Sequence, residues 1–205
     1  MNKKLRTFVY PVCAFIVLLL LWQVCVMLST SEIAFPTPVA VFKEFFYILT
    51  HKVGNYYTVV GHVLWSLSRV LVGFSIAAVF GIILGLTMGW FDYVRAVMMP
   101  IFNLLRPIAP LAWIPLAILW FGIGEKYKYF LIFIAAFVPF TLNAFAGASH
   151  VDKQLVGAAR MLGASKSQLF FEIVVPAAVP SIFSGAQVAL SNSWMTMLAA
   201  EMVCA

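Results

Sequence analysis

The stretch "DKQLVGAARMLGASKSQLFFEIVVP", residues 152–176, gathers Lys153, Arg160, Lys166 and Glu172 around two glycines, while long runs on either side carry almost no charge. Two further polar groupings interrupt apolar sequence. Asn103 and Arg106 lie in "PIFNLLRPIAPLAW", and Ser184, Gln187 and Ser191 recur at i, i+3 and i+7 with Asn192 and Thr196 alongside. None of these has the makings of covalent chemistry. His51, His62 and His150 show no ligand spacing, no serine or cysteine has a partnered base, and the phosphate-cradling G-x-x-x-x-G-K-[ST] pattern does not occur. Neither a catalytic residue nor a metal ligand is therefore expected. The chemistry these residues can do is recognition: docking for the first group, a path or helix-to-helix hydrogen bonds for the others.

The elements that must position them belong to a membrane. With 64% hydrophobic and 10% charged residues and a mean hydropathy of +1.03, the composition lies far outside that of soluble globular chains. The 13 Lys and Arg against 7 Asp and Glu are scattered around apolar segments and form no stripe for nucleic acid, so they read as orientation signals in the lipid bilayer. Three cysteines allow no disulfide framework, and Cys13 and Cys25 sit too far apart on one apolar run to bridge.

The fold class expected is an all-α integral membrane bundle. Five stretches can span at about 20 apolar residues per crossing, namely 8–28, 70–91, 98–121, 129–147 and 178–203, all expected as helices. Lys3, Lys4 and Arg6 put the N-terminus in the cytoplasm, and the length of the first span without a clean small-residue cleavage site favours a signal anchor over a cleaved signal peptide. Alternation then places 92–97 and 148–177 inside, and 29–69 and 122–128 outside. Within 29–69, Val39, Phe42, Phe46 and Leu49 predict a short helix on the outer interface.

Within the spans, Gly73, Ala77, Gly81, Gly85 and Gly89 recur every four residues and predict close helix packing, with the partner helix either in this chain or in another copy. Pro100, Pro107, Pro110 and Pro115 break the third span and put it inside a bundle. Arg106 near its helix end reads first as snorkelling to the interface and second as facing a water-filled anion path with Asn103. The stripe of Ser184, Gln187, Ser191 and Asn192 is expected to look into the protein, lining a translocation path or supplying interhelical hydrogen bonds. Glu201 is read as reaching the interface. In 152–176, the pattern predicts helix 152–162, a stop at Gly163, and a second helix with Ser165 as N-cap and Gln168 at N3, running to Pro176. Tethered between spans, such a knuckle suits a groove on another protein better than a DNA major groove.

"GAARMLGASKSQLFFEIVVP" resembles the EAA loop of permease subunits in ABC importers, whose pattern is E-A-A, glycine four residues on, then I-x-L-P. Gly157, Ala158, Ala159, Gly163, Ile173, Val175 and Pro176 fill those slots, with glycine in place of the acidic residue and valine in place of leucine. "FPTPVAVFKEF", "SLSRVLVGFSIAAVFGIILGLTMGW" and "LRPIAPLAWIPLAILWFGIGEKYKYFLI" narrow the likeness to the nitrate, sulfonate and taurine branch. The resemblance implies a non-enzymatic inner-membrane subunit that forms half of the pathway for a small anion, by alternating access. It implies a second permease copy, an extracytoplasmic solute-binding protein, and a cytoplasmic ATPase that binds ATP and Mg, with no cofactor on this chain. Gly157, Ala158, Ala159, Arg160, Gly163, Ile173 and Pro176 would make the ATPase contact. The family normally has six spans and continues past "AAEM", so the last span is expected to be missing and the chain to be a fragment, a truncated product or a natural short form. The alternative class is a secondary transporter or channel subunit, although no acid, histidine or lysine lies mid-span to serve as its proton site.

Overall fold

The computed structural model describes residues 3–28, 36–51 and 59–203. Every element in them is helical, and the chain divides into two compact units, residues 1–64 and 65–205.

In the first unit, α1 covers Lys3–Leu28 and α2 covers Pro38–Thr50. Pro38 opens α2 at a position whose amide would be unsatisfied anyway, and Thr37 caps it, its hydroxyl oxygen accepting the Ala40 N–H at 3.2 Å. The short helix predicted between the first two spans is thus present. Much of the segment around it lies outside the described residues.

The second unit is organised by three long helices: α3 (Val59–Trp90), α6 (Glu125–Ser149) and α9 (Val175–Val203). The partner of the small-residue ladder is α6 of the same chain. A methyl group built on Gly73 would come within 2.6 Å of Ile132, and one on Gly81 within 2.8 Å of Phe140; on Gly85 it would strike the Thr141 carbonyl, and on Gly89 the Ala148 side chain. Ala77 completes the row, fully buried against Ala136, Phe140 and Ala189. In lipid there is no hydrophobic drive between helices, so this close van der Waals approach is what holds the pair together. Gly147 and Gly185 do the same between α6 and α9.

Three expected boundaries change. The second span, expected over 70–91, belongs to a helix that starts at Val59. Arg69 lies just before the expected span, but it is paired here and the helix runs through it. The third span, expected as one helix over 98–121, is broken: α4 (Asp92–Leu105) and α5 (Ile114–Phe121) flank a 3₁₀ turn at Pro110–Trp113, and the pair is bent by 86°. Pro107 and Pro110 lack the amides that would continue α4, and Pro115 falls in the first turn of α5 where its missing donor costs little. Among the described residues four helices are long and apolar enough to cross a membrane, and the bent pair makes a fifth if it counts as one span.

The third change is at Pro176. The second knuckle helix does not stop there. A single turn, α8 (Lys166–Gln168), passes into a π-helical turn over Leu169–Val174 and straight on into α9. A wide turn is one way a helix accommodates a residue that lacks an amide and crowds the carbonyl four residues before it.

Candidate functional site

The knuckle is built entirely from local hydrogen bonds. Asp152 caps α7 (Lys153–Met161), its carboxylate accepting the Gln154 N–H at 2.8 Å. At the other end the Ala164 N–H donates to Ala159 O at 3.1 Å and the Gly163 N–H to Arg160 O at 3.0 Å, the paired bonds of a Schellman stop. That stop needs a left-handed residue, and Gly163 has φ +89°. Ser165 then caps the next turn: its hydroxyl accepts the Gln168 N–H, and its own N–H donates to Gln168 Oε1 at 2.8 Å. With its polar backbone groups satisfied internally, the knuckle turns apolar side chains outward. Met161 is 86% exposed and Leu162 89%, with Leu155 and Phe171 also exposed. Ala158, Arg160 and Pro176 are exposed too, and Ala159 and Ile173 are half-buried. A side chain at Gly157 would meet open space.

At the opposite end of the bundle, an ion cluster joins α3, α6 and α9. Arg69, almost wholly buried, pairs through Nε with Glu125, donates from Nη2 to Glu125 Oε1 at 2.7 Å and from Nη1 to Glu201 Oε1 at 3.1 Å. Ser66 Oγ donates to the same Glu201 oxygen at 2.6 Å, and Lys128 lies 3.4 Å from Glu125. Tyr127 donates to Ala200 O at 3.0 Å, and α5 packs Ile114 and Ala117 against Tyr127, Leu131 and Ala200. Glu201 therefore does not simply reach out to the interface. The sequence offered one signal for this cluster, an arginine inside an apolar run with carboxylates at the ends of two other helices, but not the pairing itself.

Between the two ends lies a cavity of about 510 Å³, bounded by the break between α4 and α5 and by α6 and α9. Arg106 and Asn192 line it, as does Asn143, a lone amide in α6 that no sequence pattern singles out. Asn143 donates to Pro139 O at 2.9 Å, and Gly185 leaves it room, since a methyl there would come within 2.6 Å of its Cβ. Trp113, Phe137 and Val188 supply apolar wall.

The path residues predicted from sequence thus separate. Arg106 and Asn192 come together at the cavity; Asn103 is exposed on α4 outside its lining. Ser184, Gln187 and Ser191 do not look into this chain's core but lie exposed on α9. The reason is packing: Ala178, Gly185 and Ala189 permit the closer approach to α6, so the small face of α9 is buried and the polar face is left outward.

Comparison with known proteins fits this arrangement. The chain is 36% identical to the taurine transport system permease protein of Escherichia coli K12, over 90% of this chain and 67% of that protein. It is 40% identical to the nitrate import permease protein of Synechocystis, over 98% and 76%. With the bicarbonate transport system permease protein of Synechococcus elongatus it shares 34%, over 98% and 74%. Residues 77–205 match a family model described as the binding-protein-dependent transport system inner membrane component. Long apolar helices, a capped knuckle between two of them and these sequence matches converge on one assignment: the chain belongs to the binding-protein-dependent transport system inner membrane component family, the permeases of ABC importers.

Proposed function

We propose that this permease forms half of the pathway by which an ATP-driven importer moves a small anion, and that its knuckle is the lever on which the ATPase acts. The single observation that carries this is the knuckle itself. It is an internally hydrogen-bonded projection whose most exposed side chains, Met161 and Leu162, are apolar. Exposed apolar groups on a polar, water-facing connector are the usual mark of a docking surface.

In this reading ATP and Mg are bound by the partner, and the permease contributes a two-state conformational change biased by the partner's nucleotide state. The contact runs through Gly157, Ala158, Ala159, Arg160 and Gly163, with Ile173 and Pro176 fixing how the knuckle joins α9. A second permease copy completes the pathway. The outward polar stripe of Ser184, Gln187 and Ser191 supports that assembly, because amides and hydroxyls facing lipid would be costly. An extracytoplasmic binding protein delivers the solute, and the chain lies in the inner membrane with its N-terminus in the cytoplasm. That the relatives are named for taurine, nitrate and bicarbonate supports a small anionic or anion-headed solute.

The test is retention of the partner ATPase on the purified permease. Leu162→Asp puts a charge on the exposed side chain of the α7 C-cap residue, whose capping bonds are made by its backbone, and Gly163→Val strains the left-handed stop. Both should insert normally and lose most of the bound ATPase. Retention equal to the parent in both would remove the lever.

A further inference from the structure

We infer that the Arg106 cavity is the solute's resting place inside the membrane and that it selects singly charged oxyanion heads over doubly charged ones. This rests on the reading of the chain as a permease for an anionic solute, and adds where that solute sits and which charge it carries.

Three observations carry it. First, Arg106 is uncompensated: among the described residues that line the cavity it alone is charged, and the ion pairs of the second unit are made by Arg69, Arg95 and Lys128. Second, Arg106 is exposed to solvent although it lies well along the bundle. Arg106 follows the last residue of α4, about 21 Å along the helix axis from Asp92 at 1.5 Å per residue. It shares the cavity with Phe137 and Val138, which lie midway along α6. A guanidinium at such a level persists only where water or an anion reaches it. Third, the neighbouring polar groups suit an oxyanion. Asn143 and Asn192 bring amides to the same cavity, while the guanidinium offers a planar fork of donors matched to two oxygens of a carboxylate, nitrate, hydrogencarbonate or sulfonate.

The charge preference follows from the count. One guanidinium neutralises one negative charge. A second charge on the same ion would be stripped of water against Trp113, Phe137 and Val188 with nothing to answer it. Sulfate and hydrogenphosphate are therefore excluded by charge, although they are of similar size to a small sulfonate. A zwitterion with one anionic head remains acceptable.

The experiment uses the full chain in lipid nanodiscs and Trp113 as reporter, its signal isolated by difference from Trp113→Phe. Sodium nitrate, acetate and methanesulfonate are titrated at constant ionic strength, with sodium sulfate as the dianion. Each monoanion should give a saturable change, and sulfate at least tenfold weaker response. Arg106→Met should weaken the monoanions at least tenfold, with Arg106→Gln as the second variant should the first fail to insert. A parent without a saturable change, an unaltered response in the Arg106 variant, or sulfate matching the monoanions would overturn the assignment. The ATPase-retention test reads the importer proposal separately. Failed titration with retained ATPase removes only the cavity site, whereas lost retention in the parent with intact titration removes the importer and leaves the anion site standing.

Discussion

Two arginines sit in apolar segments of this chain, and the molecule treats them in opposite ways. Arg69 is enclosed by Glu125 and Glu201, with Ser66 closing the shell, so its charge is spent on joining three helices. Arg106 stands at a cavity with amides and aromatic rings and no carboxylate. The difference teaches where to look for function in a permease. A charge neutralised by its own chain is structural, because breaking it strands a partner; a charge left unanswered in an apolar setting keeps its interaction energy for a ligand.

The comparison breaks most visibly in stability. Arg69→Met strands two carboxylates near one another. Breaking a fully buried pair costs about 3–5 kcal/mol, and since Glu125 and Glu201 remain partly exposed we expect about 2 kcal/mol. In a thermal scan in detergent that is a fall of about 4–8 °C, whereas Arg106→Met should stay within about 0.5 kcal/mol of the parent, the range of substitutions that break no pair. A smaller change converts the second arginine into the first kind. Asn192→Asp gives Arg106 a carboxylate in the cavity lining, and should shift stability by no more than about 1 kcal/mol while abolishing the anion response in the nanodisc titration. The smallest effect belongs to the edge of the cluster. Lys128→Ala removes a 3.4 Å pair with a half-exposed Glu125, and should cost about 0.5 kcal/mol in the same thermal scan. A loss as large as that of Arg69→Met would mean the cluster is not centred on Arg69.

How much of this was legible in the sequence depended on the range of the interaction. The knuckle was readable almost residue by residue, because Gly163 and the Ser165 and Gln168 capping pair act within a few positions. The ladder from Gly73 to Gly89 announced a close helix contact but not that α6 would fill it. The pairing of Arg69 was illegible, because its carboxylates lie 56 and 132 residues away. The bend at Pro107 and Pro110 was signalled as a break, but its 86° angle depends on what α5 packs against. Asn143 gave a single amide with no periodic companion, and its role emerges only with Arg106 and Asn192 beside the same space. The polar stripe on α9 was legible as a stripe, but it was not legible that the small residues Ala178, Gly185 and Ala189 on the other face would take the contact with α6 within this chain.

One measurement tests the contrast directly: thermal stability of the parent, Arg69→Met and Arg106→Met with increasing sodium nitrate at constant ionic strength. A ligand that binds only the folded protein raises its stability by mass action. The account predicts that Arg69→Met starts lower yet keeps the nitrate-dependent rise, and that Arg106→Met starts level with the parent and loses it. A nitrate-dependent rise that survives in Arg106→Met and disappears in Arg69→Met would contradict the account.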